Sequence, residues 1–210
     1  MDKLTPLAVT AITDFLLAGE ALFLAGWMAG GKKTRFSAAW YWAATILLLG
    51  AGAMLGGIDH GFFEPPGLPR YAIQRVNWIV LGAMTFCLLM ATAKQFFSPA
   101  VQRVLLIVGI LQFAADTVAV LTVDSFLDVI LNYMPVIMLL LVMSCIGLRN
   151  GAGSWQMIAG ILLQFAASTL QAMGVDTFSP LDHNGLYHVV SMVSVVFLYL
   201  GGRRLKNGVH

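Results

Sequence analysis

The chain of 210 residues carries few charges, and this scarcity defines its environment. Asp, Glu, Lys and Arg make up 10% of it and hydrophobic residues 59%, with a mean hydropathy of +0.84. Soluble domains carry roughly 25% charged residues, so the composition predicts an integral membrane protein. The net charge of +2 is too small to suggest a nucleic-acid partner, and no basic run is interleaved with aromatic residues.

Cysteine and lysine are also scarce. The two cysteines, Cys87 and Cys145, lie within apolar segments, where a thiol behaves as a small hydrophobe, so they do not indicate a redox compartment. A retinal photoreceptor needs a lysine in its last helix for the Schiff base. The five lysines lie outside the last predicted span, at Lys3, Lys32, Lys33, Lys94 and Lys206. The sequence therefore excludes a retinal photoreceptor.

Seven apolar stretches are long enough to cross a membrane. A bilayer core about 30 Å thick needs about 20 apolar residues in a helix, and the stretches are separated by breaks rich in glycine, proline or charge. The predicted spans are 4–30, 37–59, 73–95, 101–122, 126–148, 155–175 and 185–202. Residues 1–210 are therefore predicted to form one all-α, seven-helix transmembrane domain.

The first span contains acidic residues. A cleaved signal peptide begins with a positively charged segment followed by an uninterrupted apolar run. Asp2 lowers the charge of the first segment, and Asp14 and Glu20 interrupt the apolar run, so we expect a retained helix. Carboxylates at membrane depth face the interior of a bundle. Their expected polar partners are Gln112, Asn132, Gln164 and Gln171.

The distribution of lysine and arginine predicts the orientation. Short cytoplasmic loops collect these residues, and three of the twelve, Lys3, Arg70 and Arg75, fall on one side. The other nine are Lys32, Lys33, Arg35, Lys94, Arg103, Arg149, Arg203, Arg204 and Lys206. The N-terminus is therefore predicted outside and the C-terminus inside, in the cell (inner) membrane.

Three internal histidines fall at the predicted outer face. His60 ends the second span, and His183 and His188 begin the seventh. Neutral imidazole is the commonest zinc ligand, and ionisable groups near membrane depth are functional by default. The acidic residues share this side: Asp59, Glu64, Asp116, Asp124, Asp128, Asp176 and Asp182. The pattern predicts a zinc site between helices.

Two segments carry a family resemblance. MLGGIDHGFF at the end of the second span and LDHNGLYHVVSMVSVVFLYLGGRR at the seventh resemble the seven-helix hydrolase superfamily of alkaline ceramidases and adiponectin and progestin receptors, as a divergent, bacterial-type member. The resemblance implies zinc bound by a second-helix histidine and an HxxxH pair, which gives those roles to His60 and, as the last ligand, His188.

Some positions depart from the superfamily pattern. Asn184 stands four residues before His188, and His183 stands five before it. Five residues turn a helix by about 500°, so His183 joins only from a helix start such as 182–184 or a local bulge. Gly56 replaces the superfamily serine. Asn77 is the polar residue where the third helix would carry an aspartate.

The resemblance implies a lipid amide or ester hydrolase, and zinc with three imidazole ligands is compatible with that chemistry. The fourth position binds a water whose pKa falls to about 7, and a nearby carboxylate would accept its proton. Asp59 is the first candidate, with Asp116 and Asp182 as alternatives. Asp182 also suits a role in orienting a ligand imidazole, together with Asn184 and Asn77. The expected partners are the bilayer and a lipid substrate.

Other classes of function stay open. Histidine pairs also bind haem in electron-transfer proteins, but no second pair lies near the inner face. A receptor or binding protein in which the metal is structural is a further alternative. For Asp59, capping a helix end is as compatible with the sequence as catalysis.

Overall fold

The computed structural model describes residues 5–30, 34–63 and 67–205, and its regular elements are all helical. The helices are α1 (Pro6–Ala29), α2 (Ala38–Phe62), α3 (Leu68–Phe96), α4 (Pro99–Thr122), α5 (Phe126–Gly147), α6 (Trp155–Ala172) and α7 (His183–Gly202), with a 3-10 turn at Leu148–Asn150. Outside the described residues lie Lys3, Lys32, Lys33, Glu64 and Lys206.

Short polar residues and proline set the helix starts. The hydroxyl of Thr5 accepts from the backbone N–H of Ala8 before α1, and Ser37 caps α2 in the same way. Asp182 caps α7 by accepting from the N–H of Gly185. Each cap satisfies one of the N–H groups that lack an intrahelical partner. Prolines in the first turns of α1, α3 and α4 have no N–H group and therefore need no capping acceptor.

The helices form a ring with one helix outside it. α1 packs against α2 and α7, α2 against α3, α3 against α5, α5 against α6, and α6 against α7, while α4 lies outside against α3 and α5. The apolar core includes Trp42, whose indole N–H donates to the carbonyl of Leu198. Gly202 permits this contact, because a Cβ there would overlap the indole ring. Most large apolar side chains of α4 are exposed, as expected for a surface that faces lipid.

The predicted spans agree with the helices except at some ends. α2 and α3 extend beyond 37–59 and 73–95, to Phe62 and from Leu68, because the amphipathic ends continue as helix past the apolar run. The 155–175 boundary is wrong: α6 ends at Ala172, and Gly174 adopts a φ of +62° that glycine tolerates. α7 begins two residues earlier than predicted, at His183.

Six helices in the described part of the chain are long and apolar enough to cross a membrane, as in a multi-pass membrane protein. The exception is α6, which is shorter and contains Gln156, Gln164 and Gln171. The bundle satisfies two of these amides. Gln164 donates to the Tyr187 and Ser191 hydroxyls of α7, and Gln171 donates to the Asn184 amide oxygen. The glutamines lower the hydropathy of α6, and hydrogen bonds to α7 compensate for the burial of Gln164 and Gln171.

Candidate functional site

A buried carboxylate on α1 joins two of the three predicted histidines. The Oδ2 atom of Asp14 lies 2.8 Å from Nδ1 of His60 on α2. Its Oδ1 atom lies 3.1 Å from Nε2 of His188 on α7. Asp14 is 4% exposed and His188 is 6% exposed, whereas the His60 side chain keeps 27% of its surface. The helix α1 thus brings together ends of α2 and α7 that are distant in sequence.

A second set of hydrogen bonds orients His188. Its Nδ1 atom lies 3.0 Å from the hydroxyl of Thr13, which itself donates to the carbonyl of Thr10 at 2.8 Å. A hydroxyl has one proton and two lone pairs, so when that proton is donated to Thr10 the oxygen can only accept from His188. The neutral tautomer that matches this arrangement carries its proton on Nδ1.

This tautomer leaves two acceptors facing each other. In neutral His188 the Nε2 atom bears a lone pair, and it points at the Oδ1 atom of Asp14 across 3.1 Å. Two acceptors at this distance repel unless a proton or a cation lies between them. A proton or a cation between these two atoms would therefore stabilise the contact between α1 and α7.

Asp182 extends the same network to the start of α7. Its Oδ1 atom accepts from the hydroxyl of Thr10 at 2.9 Å and from the N–H of Gly185 at 2.7 Å. The carboxylate both caps α7 and ties it to α1. The predicted role of Asp182, orienting a ligand imidazole, corresponds to this position, since Thr10 and Thr13 connect it to His188.

Gly56 leaves room for the Asp14 carboxylate. A Cβ at Gly56 would lie 3.1 Å from Oδ1 and 3.4 Å from Oδ2 of Asp14, and one at Gly57 would lie 2.9 Å from the Phe15 ring. The first distance is closer than an ordinary van der Waals contact. A larger side chain at residue 56 would displace Asp14 from between the histidines.

Asp59, the first candidate base, faces α3 instead. Its Oδ1 atom lies 3.3 Å from Nε of Arg70, and its Oδ2 atom accepts from Gln74 at 3.2 Å. Arg75, the other cation at this end of α3, bonds to Asp124 at 3.0 Å. Arg70 and Arg75, the two described cations predicted at the outer face, therefore both pair with carboxylates.

The loop between α6 and α7 holds the third histidine. Nδ1 of His183 lies 2.9 Å from Oδ1 of Asp176, and the backbone N–H of His183 donates to the same oxygen at 2.7 Å. These hydrogen bonds lower the pKa of Asp176 from its ordinary 3.8. Asn184, at the HxxxH position, accepts from Gln171. The structure therefore places His183 and Asn184 with partners other than Asp14.

Two further candidates lie on other helices. Asp116 of α4 is 6% exposed and lies against Gly82 of α3. Neither of its oxygens has a hydrogen-bond partner. The Oδ1 atom of Asn77 is buried without a partner too, and a Cβ at Gly52 would lie 3.2 Å from it. The structure does not join either residue to the histidine pair by a hydrogen bond.

The residue that sequence reasoning missed as a site residue is Asp14. Its expected pairing with a glutamine or asparagine is wrong, because Gln112 bonds to Asn132 and both imidazoles bind the carboxylate. The available signal was the sequence Thr-x-x-Thr-Asp at residues 10–14 within a span. Polar residues three and four apart share one face of a helix, so this face could have been assigned to the histidines.

The arrangement contains potential metal ligands, but it is not a preformed cage. In the part of the chain that the structure describes, no group of three or more His, Cys, Asp or Glu side chains has the geometry of a metal site. The histidine and Asp14 atoms are separated by hydrogen-bonding distances instead. Two imidazole nitrogens and one carboxylate nevertheless converge, which is a ligand set that zinc accepts.

Comparison with known proteins identifies the family. The model of a family of unknown function, DUF6962, matches residues 9–207, so the chain belongs to that family. No curated protein and no solved structure matches the chain significantly.

Proposed function

We propose that Asp14, His60 and His188 hold a zinc ion and that the protein hydrolyses an amide or ester bond of a membrane lipid. One observation carries the proposal. A carboxylate oxygen of Asp14 and Nε2 of His188 lie 3.1 Å apart, and Thr13, which is within reach of the Thr10 carbonyl, can accept a proton from the other ring nitrogen. Metal-binding histidines characteristically donate their second N–H to such an acceptor.

The number of ligands suits catalysis. Catalytic zinc sites have three protein ligands and an open position, whereas structural sites have four. Zinc bound there supplies a Lewis acid and an activated water. The partly exposed edge of His60 provides access, while Thr13, Thr10 and Asp182 hold His188. In this proposal Asp14 replaces His183 in the ligand set.

The proposal includes an outward-facing site in the cell (inner) membrane. With the N-terminus outside and seven crossings, α6 included, the cluster lies at the outer end, because it joins the starts of α1 and α7 to the end of α2. A reporter after His210 should be cytoplasmic, and one within 176–182 should be outside. A cytoplasmic signal from the second reporter contradicts the outward-facing site.

Zinc analysis of purified protein tests the centre. Protein prepared without added metal should contain one zinc per chain, and His60→Ala, His188→Ala or Asp14→Asn should remove most of it. His183→Ala and Asn184→Ala are matched controls from the same helix end and should retain it. Retention of zinc by Asp14→Asn together with loss in His183→Ala would contradict the ligand set and favour three histidines.

Hydrolysis is tested separately from metal binding. A panel of long-chain amides and esters should be cleaved, with activity rising through an apparent pKa near neutrality and disappearing with a chelator. Full zinc occupancy without any cleavage would overturn the enzyme assignment and leave a metal-stabilised receptor or binding protein. A Soret band in the purified protein would instead indicate haem.

A proton-binding function is the second candidate. It rests on the same facing pair, since a proton between Asp14 and His188 also removes the repulsion between the two acceptors. A binding protein whose lipid contact changes with protonation would need no metal. Protein that contains no zinc, and whose unfolding is unaffected by added zinc or chelator, would favour this candidate.

A further inference from the structure

A second buried carboxylate lies between α3, α4 and α5, away from the histidine pair. Asp116 projects from α4 and is 6% exposed. Both of its oxygens are buried without a hydrogen-bond partner. A buried carboxylate normally has hydrogen-bond partners, because an uncompensated charge in an apolar environment is very costly.

Gly82 of α3 forms the recess that admits this carboxylate. A Cβ at Gly82 would overlap Oδ2 of Asp116 and would lie 3.3 Å from two atoms of the Phe113 ring. The glycine thus allows the acid to reach the surface of α3. Trp78 and Val120, each one helical turn from Gly82 and Asp116 along its helix, form a buried apolar cluster with Val129.

Asp128 adds a second carboxylate from α5. Its Oδ2 atom is also buried without a hydrogen-bond partner, and the charges of Asp128 and Asp116 repel each other. Three acceptor oxygens on two helices thus lack donors. Two carboxylates close together in a low-dielectric environment need a proton or a cation to compensate their charge.

We infer that Asp116 and Asp128 bind a divalent cation of the calcium and magnesium class in the recess formed by Gly82. Hard cations of this class take oxygen ligands, and the unpartnered atoms here are all carboxylate oxygens. One dication matches the combined charge of two carboxylates. The ligands contrast with the imidazole nitrogens around Asp14, which suit zinc, so this site is independent of the proposed zinc centre.

The experiment measures thermal unfolding of the purified full chain during titration with calcium chloride and with magnesium chloride. Sodium chloride at matched ionic strength is the salt control. A ligand that binds the folded state raises the melting temperature as its concentration increases. One of the two divalent salts should therefore stabilise the wild type beyond sodium chloride, and Asp116→Asn should abolish this response.

Other variants localise the response. Gly82→Ala should move it to a higher salt concentration, because the added methyl group displaces the Asp116 carboxylate. Asp124→Asn changes an acid that is bonded to Arg75 at the same end of the bundle and should keep the full response. Asp14→Asn should also keep it, which separates this site from the zinc centre.

Direct measurement of bound calcium tests the site without relying on thermal unfolding. Equilibrium dialysis of wild type against calcium chloride, followed by elemental analysis, should show one bound ion that Asp116→Asn lacks. Equal effects of all three salts, or an undiminished response in Asp116→Asn, would overturn the inference. Loss of the response in Asp14→Asn but not in Asp116→Asn would assign the ion to the histidine pair and would overturn it as well.

Discussion

Two aspartates at similarly low exposure have opposite surroundings in this bundle. Asp14 lies between two imidazoles, and threonine hydroxyls and a helix cap support that arrangement. Asp116 lies against a glycine, and its oxygens have no partner. The first carboxylate contributes to the packing of α1, α2 and α7 even without a ligand. The charge of the second would be compensated by a bound cation. The extent of burial alone therefore does not define the role of an acidic residue.

Replacing Asp14 and Asp116 by asparagine, one at a time, should give the largest difference in the free energy of unfolding. Asp14→Asn removes the carboxylate that contacts both His60 and His188, and leaving a buried polar group without its partner costs about 1–3 kcal/mol. Asp116→Asn in buffer free of divalent cations should not lower the free energy of unfolding, because it removes an unpaired charge. Denaturant unfolding of both variants measures the difference. Similar losses in the two variants would show that Asp116 has a partner as effective as the histidines.

Thr13→Val should have the next largest effect. Valine keeps the shape of threonine but cannot accept from Nδ1 of His188, so the ring loses the partner that fixes its tautomer. Removing such an outer partner typically lowers metal affinity about 10- to 100-fold. Competition with a zinc chelator measures this change, and Thr13→Ser should restore the affinity. Equal zinc affinity in Thr13→Val and wild type would show that Thr13 does not position the ligand.

Composition and apolar length predicted the helices well, because each span follows a local rule about membrane thickness. The all-α architecture is confirmed, and so is helix formation at all seven predicted places. The end of α6 was predicted too far along the chain. The length of an apolar run does not reveal where the helix ends. Here the backbone becomes left-handed at Gly174, just beyond the last residue of α6.

The site was less predictable, because its partners are far apart in the chain. Asp14 and His60 belong to neighbouring helices, but His188 is 174 residues from Asp14, and no local pattern indicates that α1 lies beside α7. In the sequence, Gly56 was interpreted as the loss of the superfamily serine. In the structure, the absence of a side chain at this residue leaves room for the Asp14 carboxylate.

Asp59→Asn should have a smaller effect than either change near His188. A general base contributes about 10²- to 10⁴-fold to turnover, and Asp59 was the first residue predicted for that role. In the structure its carboxylate contacts Arg70 and Gln74 of α3, so its oxygens are engaged away from the histidine pair. We therefore expect zinc to remain bound and turnover to change less than about 10-fold. A larger fall at full zinc content would establish Asp59 as the base.

The smallest expected effect belongs to the exposed hydrogen bond between Asp176, in the loop after α6, and His183, the first residue of α7. Hydrogen bonds from His183 lower the pKa of Asp176 below its ordinary 3.8, so the pair stabilises the folded state above that pH. This stabilisation disappears as the pH falls from 3.8 through the lowered pKa. His183→Ala should raise the pKa of Asp176 only in part, because the backbone N–H at residue 183 still donates to it. Titration of the Asp176 carboxyl by NMR in wild type and variant measures the change. An unchanged pKa in His183→Ala would show that the backbone bond accounts for the whole shift, and a loss of bound zinc in the same variant would connect this loop to the Asp14 cluster.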